Sequence, residues 1–440
     1  MRNGVCVGAA LLGLAVMPLQ AAEDRDARVE RLERTVQDLQ KALQRMQAEL
    51  GELRNQEPAK PQELPAQPSP DDGKFDPAGR ERYLGAASDF FGKRVGGFLE
   101  IGVVGDVVGR LSKDGPRGSG RPADGFTFRE AELVFGAHID PYSRGDLVLA
   151  FPDGETPELE EGYVTWLALP GGIDKLQVGK VRSHFGKLNR IHTDGLPQVD
   201  YPRVITHFFG AEGLSDTGAS VTHIIDNPWD VFSQVSYTLG NGENTTAFDG
   251  KNQKEPMHLL HWTNFFELSR SSGLELGLSG ASGAQDRRER NAARYGGLDL
   301  TYVWKRDKTE SFRFQNELFW LKRQRFTTDL DVTDINIGHT DERKFGMYSF
   351  VEYQWAQRWA GGARYDYAQI PGSTVDKDKE WAVSPYLTFY QSEFHRLRLE
   401  LSHRERTGNH SIDGYFRNRD SNSIALQGTF ILGTHRPHPY

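Results

Sequence analysis

Cysteine is almost missing from this chain, since Cys6 is the single cysteine among 440 residues. If an N-terminal leader that contains Cys6 is removed, no disulfide, thiolate nucleophile or cysteine metal site can form. Beyond the N-terminus the sequence also lacks an apolar run long enough for a bilayer-spanning helix. The net charge is −8, so a nucleic-acid partner is not expected, because phosphate binding needs a basic face.

The first 22 residues have the pattern of a signal peptide. A positively charged start precedes an apolar run from Val5 to Leu19, and Ala21 and Ala22 are the small residues expected at a cleavage site. A retained helical anchor fits less well because the run is short for a bilayer. We therefore expect export, with residues 1–22 removed.

A heptad pattern follows between Asp26 and Arg54, where apolar residues recur at alternating steps of three and four. Such a narrow seam fits a partner helix better than a globular surface, so residues 23–54 are predicted to form a self-associating coiled coil. The seam residues do not determine whether two or three helices associate. The prolines of residues 55–80 then predict an extended linker. The seam residues are Val29, Leu32, Val36, Leu39, Leu43, Met46, Leu50 and Leu53.

Period-two alternation of apolar and polar residues fills the rest of the chain, residues 81–440. Leu397, Leu399 and Leu401, for example, alternate with Arg398 and Glu400. This spacing predicts β-strands with one apolar face, although alternation alone does not separate a soluble sandwich from a membrane barrel.

The connector lengths discriminate between the two. Short connectors such as 141–144 and 170–172 alternate with long ones along the sequence, and about sixteen strands are predicted. This is the layout of an outer-membrane barrel. We therefore predict an all-β fold, a transmembrane antiparallel β-barrel preceded by a short periplasmic α-helical coiled coil. The long connectors are predicted at 110–128, 182–217, 240–257, 281–296, 322–343, 368–380 and 404–422.

The order of these segments resembles the phosphate-selective porin O and P family. Gln177-Val178-Gly179-Lys180, followed by Phe185-Gly186, is similar to that family's strand-to-loop signature. The resemblance implies a homotrimeric channel in the bacterial outer membrane, in contact with outer-membrane lipid, that passes small ions or solutes and in particular anions such as phosphate.

Charged side chains at the narrowest point of a pore set its selectivity. The connector 182–217 is the natural constriction, and its basic residues would favour anions. Acidic residues also alternate inward, at Glu130, Glu132, Asp230, Glu267, Glu275, Asp299, Glu317, Asp366 and Glu400, so the strands suggest a mixed lumen. The candidate pore-lining and constriction residues are Lys180, Arg182, His184, Lys187, Arg190, His192, Arg203, His207, Arg313, Arg364, Arg396 and Arg398.

Other classes of protein fit the sequence less well. A metal-ion-permeable porin is one alternative, but His258 and His261 face opposite sides of a strand, so no metal site is predicted. A barrel enzyme would need a nucleophile beside a base, and neighbours such as Ser402 and His403 fail this requirement. No catalytic residue and no cofactor is therefore predicted. A non-conducting outer-membrane tether that uses the coiled coil stays open as a third class.

Overall fold

A computed structural model describes most of the chain after residue 98. The described ranges are 41, 99–112, 124–153, 156–169, 173–250, 255–285, 291–307, 309–331, 334–372, 378–407, 411–412, 415–416 and 420–433. The chain divides into two units, residues 1–72 and 73–440. Except for Lys41, the predicted signal peptide, coiled coil and linker lie outside the described residues and stay predictions.

The described part of the second unit is built from β-strands. They are β1 Glu100–Ser112, β2 Gly125–Asp140, β3 Ser143–Pro152, β4 Glu158–Leu169, β5 Ile173–Arg182, β6 Ser215–Ile224, β7 Phe232–Gly240, β8 Met257–Ser269, β9 Ser272–Ala284, β10 Ala292–Lys305, β11 Ser311–Asp331, β12 Asp334–Ala356, β13 Trp359–Gln369, β14 Lys379–Ser392, β15 His395–Thr407, β16 Ser411–Ile412, β17 Tyr415–Phe416 and β18 Asp420–Gly433.

All of these strands except β16 and β17 form one closed antiparallel barrel, which gives the sixteen strands that the sequence predicts. Each strand pairs with its neighbours along the chain, while β1 and β18 close the ring with Gly102 opposite Gly433. A closed ring leaves no unpaired strand edge. The short strands β16 and β17 pair only with each other.

The alternation predicted from the sequence is present in the barrel wall. Leu397, Leu399 and Leu401 on β15 are 40%, 42% and 46% exposed, whereas Arg398 and Glu400 between them are 1% and 4% exposed. Apolar side chains therefore cover the outside of the barrel, and polar side chains face the lumen. Among the described residues, no helix has the length and apolar character needed to cross a membrane.

The connectors are short at one end of the barrel and mostly long at the other, as predicted. The exception is the predicted long connector 322–343, which is wrong because β11 and β12 continue through it and leave only residues 332–333 between them. The sequence there is rich in charged and polar residues. A run of such residues is typical of a loop, so the sequence did not predict that both strands continue through it.

Candidate functional site

The longest described connector, residues 183–214 between β5 and β6, lies inside the barrel and is here named the inner loop. It contains two 3₁₀ turns, Leu188–Arg190 and Thr193–Gly195, and one helix, α1 Arg203–Phe209. Its side chains contact inward-facing residues of several strands. The inner loop corresponds to the predicted constriction at 182–217.

One side of the inner loop forms an apolar core with the wall. Phe185 and Phe209 are 0% and 1% exposed, and their ring centroids lie 5.0 Å apart. The ring of Phe185 stacks on Phe319 of β11 at 5.5 Å, and Phe209 lies 5.3 Å from Tyr295 of β10. A cluster of this kind holds the loop against β10 and β11 by burying large aromatic surfaces.

The connector between β7 and β8 braces this core from the long-connector end. The Asn244 side-chain amide donates hydrogen bonds to the carbonyl groups of Phe209 and Gly213, at 2.8 and 3.0 Å. Phe248 is fully buried, with its ring 5.2 Å from that of Tyr295. The inner loop is therefore packed between the wall and a second loop.

Two glycines of the family-like signature have positive φ, Gly179 within β5 and Gly186 at the start of the inner loop. Gly179 has φ of +140°, and a Cβ at this position would lie 2.2 Å from the carbonyl oxygen of Gly162 on β4. Gly186 has φ of +61°, and its Cβ would lie 1.9 Å from a carboxylate oxygen of Glu317. The same Glu317 carboxylate accepts a 2.9 Å hydrogen bond from the backbone N–H of Leu188. The chain can turn into the lumen here because glycine tolerates positive φ and close approach.

Asp200 anchors the opposite side of the inner loop to β1 and β2. Its carboxylate lies 2.5 Å from the guanidinium of Arg110 and 3.4 Å from that of Arg129. Burial alone would raise the pKa of Asp200, but these two arginines outweigh it and lower the pKa to about 2. The backbone carbonyl of Asp200 also accepts a 2.7 Å hydrogen bond from Arg364 on β13.

Further contacts join the inner loop to β15. The N–H of Val199 donates to Glu400 of β15 at 3.0 Å, and the guanidinium of Arg396, also on β15, donates to the carbonyl of Asp194. The loop therefore spans the lumen rather than lining one wall. The strands that it contacts by hydrogen bonds or ion pairs are β1, β2, β4, β5, β9, β11, β13, β14 and β15.

Most of the cations predicted to line the pore are paired with carboxylates. Ion pairs occur both on the strands and on the inner loop, so acidic and basic groups lie side by side in the lumen. The pairs are Arg182 with Glu160 at 3.3 Å, Lys187 with Glu275 at 2.7 Å, Arg203 with Glu380 at 3.3 Å, His207 with Glu380 at 3.5 Å, Arg313 with Glu352 at 2.6 Å and Arg364 with Asp366 at 2.8 Å.

His192 has more carboxylates around it than any of these pairs. Its Nδ1 lies 2.6 Å from Glu160 and 3.5 Å from Glu132, and its Nε2 lies 3.1 Å from Glu161. Burial and Arg182 act to lower the pKa of His192, but the carboxylates of Glu132 and Glu160 dominate and hold it well above its ordinary value. The sequence identified His192 as a candidate but not this acidic surrounding.

The other predicted residues have different environments. The ammonium of Lys180 donates to the carbonyl of Leu159, 2.6 Å away. Burial lowers the pKa of His184 well below its ordinary value, and the nearby charge of Arg190 adds to this effect, so the His184 imidazole is neutral.

Arg396 and Arg398, side by side on the inner face of β15, form no ion pair among the residues that the structure describes. Arg398 is 1% exposed and donates to Thr388 and Gln427 at 3.1 and 2.9 Å. Arg396 contacts Thr429 at 3.4 Å in addition to the loop carbonyl. Neither arginine therefore has a carboxylate within ion-pair distance in the described part of the chain, although the charges of Glu352 and Glu400 act on Arg398 from further away.

The predicted acidic lumen positions also have mixed outcomes. Glu130, Glu132 and Glu317 are buried inside the barrel, as the alternation predicts. The prediction for Asp230 is wrong, because this residue lies exposed in the turn between β6 and β7, where φ is +54°. A residue in a turn does not follow the two-residue period of the strands beside it.

Comparison with known proteins supports the fold. No protein-family model matches the chain. A protein of Aquifex aeolicus (strain VF5), described as uncharacterized, is 28% identical over 344 residues, which cover 72% of this chain and 70% of that protein. The anion-selective porin from Comamonas acidovorans has a TM-score of 0.51 at 9% identity, over 76% of this chain and 99% of that chain.

A second solved structure, the outer membrane channel DcaP of Acinetobacter baumannii, has a TM-score of 0.47 at 12% identity, over 76% of this chain and 96% of that chain. The likeness to the Comamonas porin, at its low identity, shows a shared barrel fold and nothing finer. The resemblance to the phosphate-selective family stays a prediction.

Proposed function

We propose that this protein is a porin, a passive channel of the bacterial outer membrane that passes small hydrophilic solutes and ions and prefers anions. The observation that carries this proposal is the inner loop, which lies inside a closed sixteen-stranded barrel and contacts the wall on several sides. A loop in this position narrows the lumen and brings charged groups next to anything that passes.

The outer surface of the barrel supports a membrane location. Large apolar side chains such as Leu278 and Leu399 are 51% and 42% exposed, and Trp320 and Trp355 are 42% and 48% exposed. In a bilayer every backbone polar group must be paired within the protein, and a closed barrel meets that requirement. In outer-membrane barrels the short turns face the periplasm, so we assign the short-turn end to that side.

A cavity supports passage of small solutes. It has a volume of about 660 Å³, lies at the short-turn end below the inner loop, and is lined by Lys187, Glu275, Arg313 and Glu352 among others. This volume lies within the range of small-molecule sites. We interpret the cavity as the periplasmic vestibule of the channel.

Arg396 and Arg398 support the anion preference. Both face the lumen and form no ion pair among the described residues, whereas Arg182, Arg203, Arg313 and Arg364 are each paired with a carboxylate. At a constriction a guanidinium that forms no ion pair attracts anions and repels cations. We therefore expect these two residues to set the charge selectivity.

Phosphate is the finer proposal, and it depends on the resemblance to the phosphate-selective family. The signature residues of that resemblance have a structural part in this chain, because Gly179 allows close approach of β4 to β5, Gly186 allows the turn of the inner loop, and Phe185 fills the apolar core. They form the constriction rather than contact a solute. Phosphate preference would therefore depend on Arg396 and Arg398.

The coiled coil and the trimer are also proposals that go back to the sequence and to the family resemblance. Glu100 of β1 pairs with Gly136 near the first short turn, and Gly433 of β18 pairs with Gly102, so both ends of the barrel chain lie at the short-turn end. This placement supports a periplasmic N-terminal segment. If residues 26–54 drive assembly, their deletion should convert a trimer into monomers, with barrel insertion unchanged; crosslinking of the two proteins in detergent measures this.

The first experiment is planar-bilayer conductance of the purified, refolded protein, with the reversal potential measured in a KCl gradient. We expect discrete steps and an anion-selective reversal potential. Arg396→Gln and Arg398→Gln should both shift the reversal potential toward the cation value. Arg306→Gln is the matched control, because Arg306 lies in a short turn with its side chain 69% exposed and should have no such effect.

Each part of the proposal has its own contrary result. A folded protein that gives no conductance steps contradicts the channel. Steps whose reversal potential is the same in both lumen variants contradict the role of Arg396 and Arg398. Added phosphate that fails to reduce the chloride current in an anion-selective channel contradicts only the phosphate preference.

A further inference from the structure

Glu132, Glu160 and His192 form a cluster of ligand-bearing side chains that ion selectivity does not explain. They come from β2, β4 and the inner loop, and one ligand atom of each lies within 4.8 Å of the other two. Glu161, the neighbour of Glu160, contacts the other ring nitrogen of His192. The cluster therefore joins the inner loop to two wall strands that are not adjacent to each other.

A β-bulge in β4 brings the two neighbouring glutamates together. Val148 of β3 pairs with Glu161 and Leu149 pairs with Leu159, so Glu160 is the extra residue without a partner on β3. Side chains of consecutive strand residues ordinarily point to opposite faces, and a bulge changes the direction of one of them. Both carboxylates can thus reach the same imidazole.

The two nitrogens of His192 have different surroundings. Nε2 lies 3.1 Å from a single carboxylate, that of Glu161, whose other oxygen accepts a 2.8 Å hydrogen bond from the backbone N–H of Arg182. Nδ1 faces Glu160 and Glu132 together, at 2.6 and 3.5 Å. In metal sites the ligating histidine commonly donates its second N–H to an oriented carboxylate, which fixes the tautomer. Glu161 is placed to do this.

Glu160 and Glu132 are also arranged as ligands. One oxygen of Glu160 is 3.3 Å from the guanidinium of Arg182, which leaves the other oxygen directed at Nδ1 of His192. Glu132 is 3% exposed, and its Oε1 has no hydrogen-bond partner in the described structure. A buried carboxylate oxygen without a donor is costly, and a bound cation is one way to satisfy it.

Charge balance favours a divalent cation over a proton at this position. The carboxylates of Glu132, Glu160 and Glu161 face one guanidinium, that of Arg182, which also pairs with Glu212 at 3.6 Å, so at least two negative charges remain. An imidazolium at His192 cancels one of them, while a divalent ion bound to a neutral imidazole cancels both. Uncompensated buried charge is strongly unfavourable.

We propose that Nδ1 of His192 and the carboxylates of Glu132 and Glu160 bind a divalent first-row transition ion, for which Zn²⁺ is the probe. A nitrogen ligand beside two carboxylates suits zinc and its neighbours, whereas Mg²⁺ and Ca²⁺ prefer oxygen ligands alone. Ligands about 2.1 Å from a tetrahedral ion lie roughly 3.4 Å from one another. The measured distances from Nδ1, 2.6 and 3.5 Å, require only small side-chain shifts to reach this spacing.

The bound ion would fasten the middle of the inner loop to β2 and β4. This inference does not depend on whether the barrel conducts, because it concerns how the loop is held. The proposed site would also hold a metal ion rather than pass it, because three protein ligands would bind the ion at the same time.

The test is isothermal titration of Zn²⁺ into the refolded full-length protein in detergent at neutral pH, with excess Mg²⁺ present. We expect one site per chain. His192→Gln and Glu132→Gln should each lower the affinity more than Glu161→Gln, which removes only an orienting partner and should cost about 10- to 100-fold. His207→Gln is the matched control, because His207 is on the same loop but faces only Glu380, at 3.5 Å, and it should leave the affinity unchanged.

X-ray absorption of the zinc-loaded wild-type protein gives a result that does not depend on variants. One nitrogen and two carboxylate ligands per ion would support the proposal even if a variant failed to fold. The absence of a stoichiometric Zn²⁺ site in the folded wild-type protein would overturn it. Equal losses of affinity in His192→Gln and His207→Gln would overturn it as well, because the site would then not be the one described.

Discussion

Phe185 offers the sharpest test of how the inner loop is held. Its side chain is fully buried between Phe209 of the loop and Phe319 of the wall, with ring centroids 5.0 and 5.5 Å away. Replacing such a phenylalanine by alanine costs about 3–5 kcal/mol, which includes the lost ring contacts. Since each 1.4 kcal/mol is a factor of ten, Phe185→Ala should reduce the ratio of docked to undocked loop by about two to four powers of ten.

The barrel should survive this change, because its strands pair with one another and not through the loop. We therefore expect a larger single-channel conductance and faster tryptic cleavage within the loop, with little change in the thermal unfolding of the barrel. Phe345→Ala is the matched control: Phe345 faces outward on β12, with its ring 5.7 Å from that of Trp320. If Phe185→Ala were folded and had the conductance and cleavage rate of the wild type, the apolar core would not hold the loop.

Two further predictions concern the polar anchor and the turn into the lumen. Asp200 has a pKa of about 2, lowered from 3.8 by its two arginine partners, so its stabilisation of about 2 kcal/mol is present above pH 4 and is lost as the pH falls toward 2. Conductance recorded within this acid window, and cleavage there by the acid protease pepsin, should show loop release, whereas Asp200→Asn should weaken loop docking already at neutral pH and abolish the acid dependence. Gly186→Ala should destabilise loop docking by about 1–3 kcal/mol or more, since the new Cβ needs positive φ and meets Glu317 at 1.9 Å. Gly280→Ala, with open space around its Cβ position, should be neutral in the same cleavage assay; equal cleavage of both variants would contradict the account of the turn.

The barrel could be predicted from the sequence because each strand has a local signal. Leu397 and Leu399 face outward and Arg398 faces inward, as the two-residue period requires. The outer halves of β11 and β12 could not be predicted in the same way. Their sequence is rich in charged and polar residues and is therefore typical of a loop.

The site was only partly predictable. The length and charge of the connector identified the inner loop and His192, and the spacing of Val204, Ile205, Phe208 and Phe209 was an available signal for the buried face of α1. The partners of His192 were not predictable. Glu132 and Glu160 are separated from it by 60 and 32 residues, and the bulge that directs Glu160 inward leaves no mark in the alternation.

The anchors of the inner loop have a consequence for the order in which the molecule folds. Val199 binds Glu400, 201 residues further along the chain, while Asp200 binds Arg110, 90 residues earlier. These partners come together only when β1 and β18 have met, because the loop reaches both sides of that junction. Contacts between residues so distant in sequence form late. The full set of these anchors therefore requires the closed ring, and an open sheet cannot hold the loop on both sides of that junction.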